Sequence, residues 1–67
     1  MVSEEIETFE RLKEEFKAGG VTKKYANRAK DVYNKYNDHK IENCMCNKIR
    51  RMILAETMLK WYESQVG

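Results

Sequence analysis

The sequence of 67 residues contains no proline, one histidine, two cysteines and three glycines. It has no apolar run near the roughly 20 residues that a membrane-spanning helix needs, so no membrane segment is expected. The first residues, Met1 to Phe16, are too acidic for a signal peptide. Residues 39–64 contain neither proline nor glycine, so nothing in that segment enforces a helix kink. A chain this short has room for one small domain, which we place at residues 1–67.

The shortage of cysteine and histidine limits disulfide and metal chemistry. A small secreted domain is expected to carry several paired cysteines, so Cys44 and Cys46 alone favour a reducing, cytoplasmic location. On a helix, side chains two positions apart point about 200° away from each other, so we expect no bridge between them. With His39 they fall one ligand short of a closed zinc site. We therefore expect no bound metal, and both cysteines as small buried apolar side chains.

The residues that catalysis usually requires are also scarce. His39 has no serine or cysteine at a spacing typical of an activated nucleophile. Gly19 and Gly20 form an isolated pair with no following Lys-Ser or Lys-Thr, so they do not predict a phosphate-binding loop. The carboxylates of the first segment lie on its solvated face, where we expect them to titrate normally. We therefore expect no catalytic site, no cofactor and no small-molecule substrate.

Charge is distributed unevenly along the chain, although its net value is only +2. Residues 1–20 hold six acidic and three basic side chains, a balance of −3, and residues 21–67 hold five acidic and ten basic ones, a balance of +5. Oppositely charged faces that attract each other within one bundle explain this pattern most simply. A basic half that attracts a polyanion is the alternative.

Apolar periodicity predicts an all-α fold whose first two helices are well delimited. The first spans about 4–17, with Ser3 as N-cap and the Gly19–Gly20 pair as its end. The second spans about 22–36, with Thr22 as N-cap, and carries its apolar residues on a single face. A short polar turn follows the second helix.

The third helix is predicted to be long, over about 39–64, because no glycine or proline interrupts it. Short connections then predict an up-down-up arrangement of three helices. A straight helix of about 36 Å would overhang a domain of this size. The expected core consists of Ile6, Phe9, Leu12, Phe16, Tyr25, Ala29, Val32, Tyr36, Met45, Ile49 and Met52.

The third predicted helix carries two apolar stripes on nearly opposite sides. The first stripe is expected to face the core, and its residues are Ile41, Met45, Ile49, Met52 and Ile53. The second stripe is expected to stay exposed and to dock another chain, most simply a second copy, because tryptophan and tyrosine are common in binding hot spots. Its residues are Leu54, Met58, Trp61 and Tyr62.

Nucleic-acid binding is the alternative function, because the second helix, a four-residue turn and the third helix resemble a helix-turn-helix. The candidate contacts to bases and phosphates are Lys23, Lys24, Arg28, Asn43, Asn47, Arg50 and Arg51. The sequence thus favours a non-enzymatic protein-interaction or assembly module, self-associating or bound to a protein partner. A small phage-encoded virion or inhibitor protein is a further alternative, suggested by size alone.

Overall fold

The computed structural model describes residues 1–66 and contains three helices. They are α1 (Ser3–Lys17), α2 (Lys23–Tyr36) and α3 (Lys48–Val66). Residues 1–66 contain no strand. The all-α, three-helix prediction is confirmed, and the bounds predicted for the first two helices hold to within one residue.

Local hydrogen bonds fix both ends of α1. Its N-cap is Val2 rather than Ser3, and the backbone N–H of Val2 donates to the Glu5 carboxylate at 3.1 Å. At the other end Gly19 takes a left-handed conformation with φ of +83°, which glycine adopts without steric penalty. The backbone N–H groups of Gly19 and Gly20 return to carbonyls of the last turn at 3.0 and 3.1 Å. This is a Schellman motif, so the glycine pair ends α1 as predicted.

A tight turn then reverses the chain into α2. The Thr22 hydroxyl caps α2 by accepting from the Tyr25 N–H, and it also donates to the Glu15 carboxylate at 2.9 Å. At the far end of the pair, Lys35 near the end of α2 contacts Glu5 near the start of α1, with 3.0 Å between nitrogen and oxygen. Contacts at both ends therefore make α1 and α2 antiparallel neighbours.

The segment between α2 and α3, residues 37–47, is not helical, so the predicted start of the third helix near residue 39 is wrong. The Asn34 side chain accepts from the Ile41 N–H at 2.8 Å and donates to the Ile41 carbonyl at 3.0 Å. Side-chain amides of this kind satisfy backbone groups that a helix would otherwise pair. The helix begins only after Asn47, whose side-chain oxygen accepts from the Arg50 N–H at 3.0 Å.

The third helix runs in the same direction as α2, so the up-down-up prediction is wrong. Arg51, near the start of α3, donates to the carbonyl of Val21, just before α2, at 2.9 Å. Trp61, near the end of α3, lies 5.3 Å from Tyr33 and 6.0 Å from Tyr36 between ring centroids, at the end of α2. A parallel neighbour requires a connection that returns along the bundle, and the unexpectedly long segment 37–47 provides it.

One cluster of buried side chains joins the three helices and both connections. Its members are Phe9, Leu12, Val21, Ala26, Ala29, Met45, Ala55, Met58, Leu59 and Tyr62. Among the residues predicted for the core, four are buried, namely Phe9, Leu12, Ala29 and Met45. Phe16, Tyr25, Val32 and Met52 are half-buried, whereas Ile6, Tyr36 and Ile49 are exposed.

The two faces of α3 are exchanged relative to the prediction. Ile41 and Met45, which belong to the stripe expected in the core, precede the start of α3 and lie in the loop. The part of that stripe that remains exposed on the helix is short and consists of Ile49 and Ile53. The opposite stripe, with its large aromatic side chains, offers more apolar area and therefore packs inward. Ile49 and Ile53 remain 73% and 61% exposed.

The later start of α3 also removes the predicted overhang. A helix of 19 residues is about 28 Å long. The whole molecule measures 27 × 25 × 18 Å along its principal axes. The third helix is therefore about as long as the longest dimension of the molecule.

Two glutamate substitutions on α3 test which face is buried. We expect Met58→Glu to unfold most of the protein, because an unpaired carboxylate would replace a side chain with no exposed surface. Ile53→Glu, five residues earlier on the exposed face, should change the free energy of unfolding by no more than about 0.5 kcal/mol. Thermal unfolding followed by circular dichroism measures both. Similar melting temperatures for the two variants would contradict this orientation of α3.

Candidate functional site

The four residues predicted to dock a partner are part of the core or packed against it. Met58 is fully buried, Tyr62 is 2% exposed, and Leu54 and Trp61 are half-buried. The Tyr62 ring stacks on Phe9 with 4.9 Å between centroids, and its hydroxyl donates to Glu10 at 2.8 Å. Burial and this bond raise the pKa of Tyr62 to about 12. The prediction that these residues form an exposed stripe is therefore wrong.

The exposed apolar side chains of α3 lie on its other side. Ile49 and Ile53 are one helical turn apart and point to solvent, and we call the surface formed by these two residues with Lys48 and Arg50 the Ile49–Ile53 face. Within residues 1–66, no carboxylate forms a salt bridge with either of these cations. Further along the helix, Lys60 pairs with Glu56 at 3.2 Å. The Ile49–Ile53 face is thus apolar and bordered by positive charge.

The candidate nucleic-acid residues on α2 lie on an exposed surface. Lys23, Lys24 and Arg28 are all exposed, and the last two place their charges 5.8 and 5.6 Å from the centre of the Tyr25 ring. Arg11 approaches the same ring at 5.4 Å, so Tyr25 sits among three cations. These residues are accessible, but their arrangement serves packing between α1 and α2 as well.

The helix-turn-helix prediction is wrong in its geometry. Residues 37–47 replace the four-residue turn, and α3 runs in the same direction as α2 instead of crossing it as a recognition helix. Asn43 and Arg50 are exposed at the surface. Asn47 is exposed too, but its side chain caps α3.

Arg51 is not available to a ligand because its guanidinium binds three carbonyl groups of the chain. It donates to Val21 at 2.9 Å, to Met45 at 2.9 Å and to Cys46 at 3.3 Å. These carbonyls belong to the turn before α2 and to the loop before α3. A planar guanidinium with several donors suits this task, which a lysine ammonium cannot reproduce. The residue is therefore a structural clamp between two connections.

The two cysteines lie in the loop rather than on a helix, and they are bonded to each other. Cys44 and Cys46 form a disulfide whose Cα atoms are 5.4 Å apart. Both residues are exposed, whereas Met45 between them is 1% exposed and belongs to the core. The predictions of free, buried cysteines are therefore wrong, because both assumed a helix at this position. The backbone forms a turn at Met45 and Cys46, and this turn allows the two sulfurs to meet.

The carboxylate of Glu5 in α1 has a lowered pKa, so the expectation that it titrates normally is wrong. Glu5 is 8% exposed, and its oxygens accept from the Tyr36 hydroxyl at 2.6 Å and from the Lys35 ammonium at 3.0 Å. The Tyr36 hydrogen bond and then the Lys35 bond lower the pKa of Glu5 to about 2. The same contacts raise the pKa values of Tyr36 and Lys35. A groove of about 490 Å³ between α1 and α2, lined by Glu5, Tyr25 and Arg28 among others, adjoins this group and is open to solvent. Because the bonds of Glu5 join the start of α1 to the end of α2, we interpret the group as a clasp between them.

Replacing Arg51 tests the clamp. We expect Arg51→Ala to lower the free energy of unfolding by about 2–3 kcal/mol, because it leaves three carbonyls without their charged donor. Arg50→Ala removes the same side chain one residue away at an exposed position, and its effect should stay within about 0.5 kcal/mol. Urea unfolding measures both variants. Equal effects would show that Arg51 contributes no more than a surface arginine.

The Glu5 clasp makes stability depend on pH in the acid range. Because folding lowers the pKa of Glu5 from 4.5 to about 2, its stabilising effect is complete above about pH 5 and is lost as the pH falls towards 2. We expect the melting temperature of the wild type to fall more steeply over this range than that of Glu5→Gln. Glu4→Gln is the control for losing one exposed carboxylate. A Glu5→Gln protein with the wild-type pH profile would contradict the clasp.

Other kinds of site are not found in the part of the chain that the structure describes. Residues 1–66 contain no group of three or more histidine, cysteine, aspartate or glutamate side chains placed to hold a metal ion. No helix among them has the length and apolar character to cross a membrane. Comparison with protein-family models, with curated proteins and with solved structures finds no match to this chain.

Proposed function

We propose that this chain is a protein-interaction module that acts by contact rather than catalysis, and that it binds its partner through the Ile49–Ile53 face. The exposure of Ile49 and Ile53, at 73% and 61%, carries the proposal. Two large aliphatic side chains on consecutive turns leave apolar area in water that a partner would cover. The same helix buries Met58, Leu59 and Tyr62 in the core. The chain therefore has a core that covers apolar side chains of α3, and Ile49 and Ile53 lie outside it.

The border of the Ile49–Ile53 face indicates the chemistry of the partner. Lys48 and Arg50 lack salt-bridge partners within residues 1–66, whereas Glu56 and Lys60 neutralise each other further along α3. A complementary surface therefore presents an apolar groove or helix with carboxylates at its edge. Because the charges lie at the rim, they govern association rate and specificity more than affinity.

Self-association through the same face is the second possibility. Ile49 and Ile53 alone offer far less than the roughly 800 Å² per partner that a standard interface buries. In a contact between two copies, Lys48 and Arg50 of one α3 would also face the same two cations of the other, and these like charges repel each other. This repulsion favours an acidic partner over a second copy.

Polyanion binding is the second candidate function, and the direction of α3 favours it. Because α2 and α3 run in parallel, both helices begin at the same end of the bundle. This end carries Lys23 and Lys24 of α2 together with Lys48 and Arg50 of α3. Four cations near two helix N-termini form a surface that phosphates favour. The predictions of a cytoplasmic location and of a phage origin stay predictions.

A titration with designed peptides tests the proposed partner chemistry. The probe is a short amphipathic helix with leucines one turn apart and glutamates along both borders, followed through the backbone amide signals of the labelled chain by NMR. We expect signals of residues 48–53 to shift, and the binding to weaken with added salt because the rim charges are screened. The charge-reversed peptide with lysines at the borders should bind at least about tenfold more weakly.

The matched variants are Ile49→Glu with Ile53→Glu, and Ser64→Glu with Gln65→Glu at exposed positions on the last turn of α3. The first pair should abolish the shifts while the protein stays folded, and the second pair should leave them unchanged. Failure of the acidic peptide to shift residues 48–53 would contradict the proposal. A dimer in sedimentation that Ile53→Glu dissociates would assign the face to a second copy, and shifts with duplex DNA at Lys23 and Arg50 would favour the polyanion.

A further inference from the structure

The Cys44–Cys46 disulfide combines exposed sulfurs with a fixed backbone. Both cysteines are exposed, and Met45 between them is anchored in the core. The Arg51 guanidinium holds the carbonyls of Met45 and Cys46 at 2.9 and 3.3 Å. The backbone on which both sulfurs depend is therefore held independently of the bond between them.

A bond in this position contributes little to holding the fold together. A disulfide stabilises mainly by restricting the unfolded chain, and the effect grows with the number of residues in the closed loop. Here the two cysteines are separated by a single residue, so the restriction is near its minimum. Met45, Arg51 and the Asn47 cap already fix this loop. Structural stabilisation thus accounts poorly for the bond, and chemical reactivity becomes the better explanation.

The surroundings of the two sulfurs are electrically unequal. Cys46 directly precedes Asn47, the N-cap of α3, so along the chain it is next to the first turn of that helix and two and four residues before the cations Lys48 and Arg50. Helix N-termini and neighbouring cations favour the thiolate form of a cysteine. Cys44 lies two residues further from the helix, and two residues after Glu42. Cys46 is therefore the better leaving group of the pair.

We infer that Cys44–Cys46 is a redox-active disulfide that exchanges with the thiols of a cysteine-containing peptide or protein. A partner thiolate attacks Sγ of Cys44, the bond between Cys44 and Cys46 breaks, and Cys46 leaves with the electron pair as a thiolate. A second partner thiolate attacks the partner sulfur of the mixed disulfide and releases Cys44. Two partner thiols lose two electrons and two protons to form a disulfide, and the chain disulfide takes up both to become two thiols.

This inference does not depend on the proposed function, because it concerns the loop before α3 and not the apolar side chains of the helix. The two can be tested separately with the same protein. Replacing Ile49 and Ile53 leaves the sulfurs in place, and replacing the cysteines leaves the Ile49–Ile53 face in place.

The redox equilibrium is measured by incubating the full chain with glutathione, trapping free thiols by alkylation and counting them by mass spectrometry. We expect oxidised glutathione to form the disulfide, and about 5 mM reduced glutathione to convert most of it to the dithiol, as for labile rather than structural disulfides. A disulfide that stays intact under these conditions would overturn the inference. So would two thiols that remain free in oxidised glutathione.

The double variant Cys44→Ser with Cys46→Ser separates reactivity from structure. We expect it to keep the helical content of the wild type and a closely similar melting temperature, because Met45 and Arg51 hold the loop. Unfolding of this variant would identify the bond as a structural staple and would overturn the inference.

The roles of the two sulfurs are tested by site-resolved alkylation of the reduced chain at neutral pH. Cys46 should react about tenfold faster than Cys44. When reduced glutathione is added to the oxidised chain and the reaction is quenched early, the mixed disulfide should carry glutathione on Cys44. Lys48→Gln with Arg50→Gln should slow Cys46 several-fold, whereas Lys60→Gln, further along α3, should leave its rate unchanged. Equal rates for the two cysteines, or glutathione on Cys46, would overturn the assignment of Cys46 as leaving group.

Discussion

The guanidinium of Arg51 is the contact on which the arrangement of the three helices depends. It joins the turn before α2 to the loop before α3 through the carbonyls of Val21, Met45 and Cys46. By doing so it brings the start of α3 to the same end of the bundle as the start of α2. Met45 can then enter the core, and the opposite side of α3 can pack its aromatic residues against Phe9. Together with the Asn34 and Asn47 hydrogen bonds, this contact positions the disulfide loop and the start of α3.

Features of the fold that depend on neighbouring residues could be predicted from the sequence. The Thr22 cap, the end of α1 at Gly19 and the bounds of the first two helices depend on bonds within a few residues. The start of α3 depends instead on the Asn34 side chain, which binds Ile41 seven residues later and interrupts a segment with no glycine or proline. Its direction depends on a bond from Arg51 to Val21, thirty residues earlier. Periodicity contains no information about such distant bonds.

The candidate site was harder to predict because the same residue types fill cores and interfaces. Trp61 and Tyr62 have the side chains typical of binding hot spots, yet the buried Tyr62 ring stacks on Phe9 and the half-buried Trp61 ring lies tilted against it. Either of two apolar stripes could turn α3 towards the core. The stripe with the larger apolar area is buried because Ile41 and Met45, which belong to the other stripe, lie in the loop and not on the helix. The sequence does not predict the disulfide for a related reason, since apolar periodicity places both cysteines on a helix that does not exist there. One signal in the sequence does concern this loop: Met45, between the two cysteines, is a predicted core residue, and it is buried.

The parallel course of α2 and α3 gives the molecule an electrical polarity along its length. The dipoles of these two helices add, and the antiparallel α1 cancels only part of their sum. Side-chain charges increase the same asymmetry, with Lys23, Lys24, Lys48 and Arg50 at one end and Glu4, Glu7 and Asp38 at the other. In the field of an anionic surface such a molecule experiences a torque before any contact forms. It therefore arrives with the disulfide loop and the start of α3 leading, so that orientation is set during approach and not after collision.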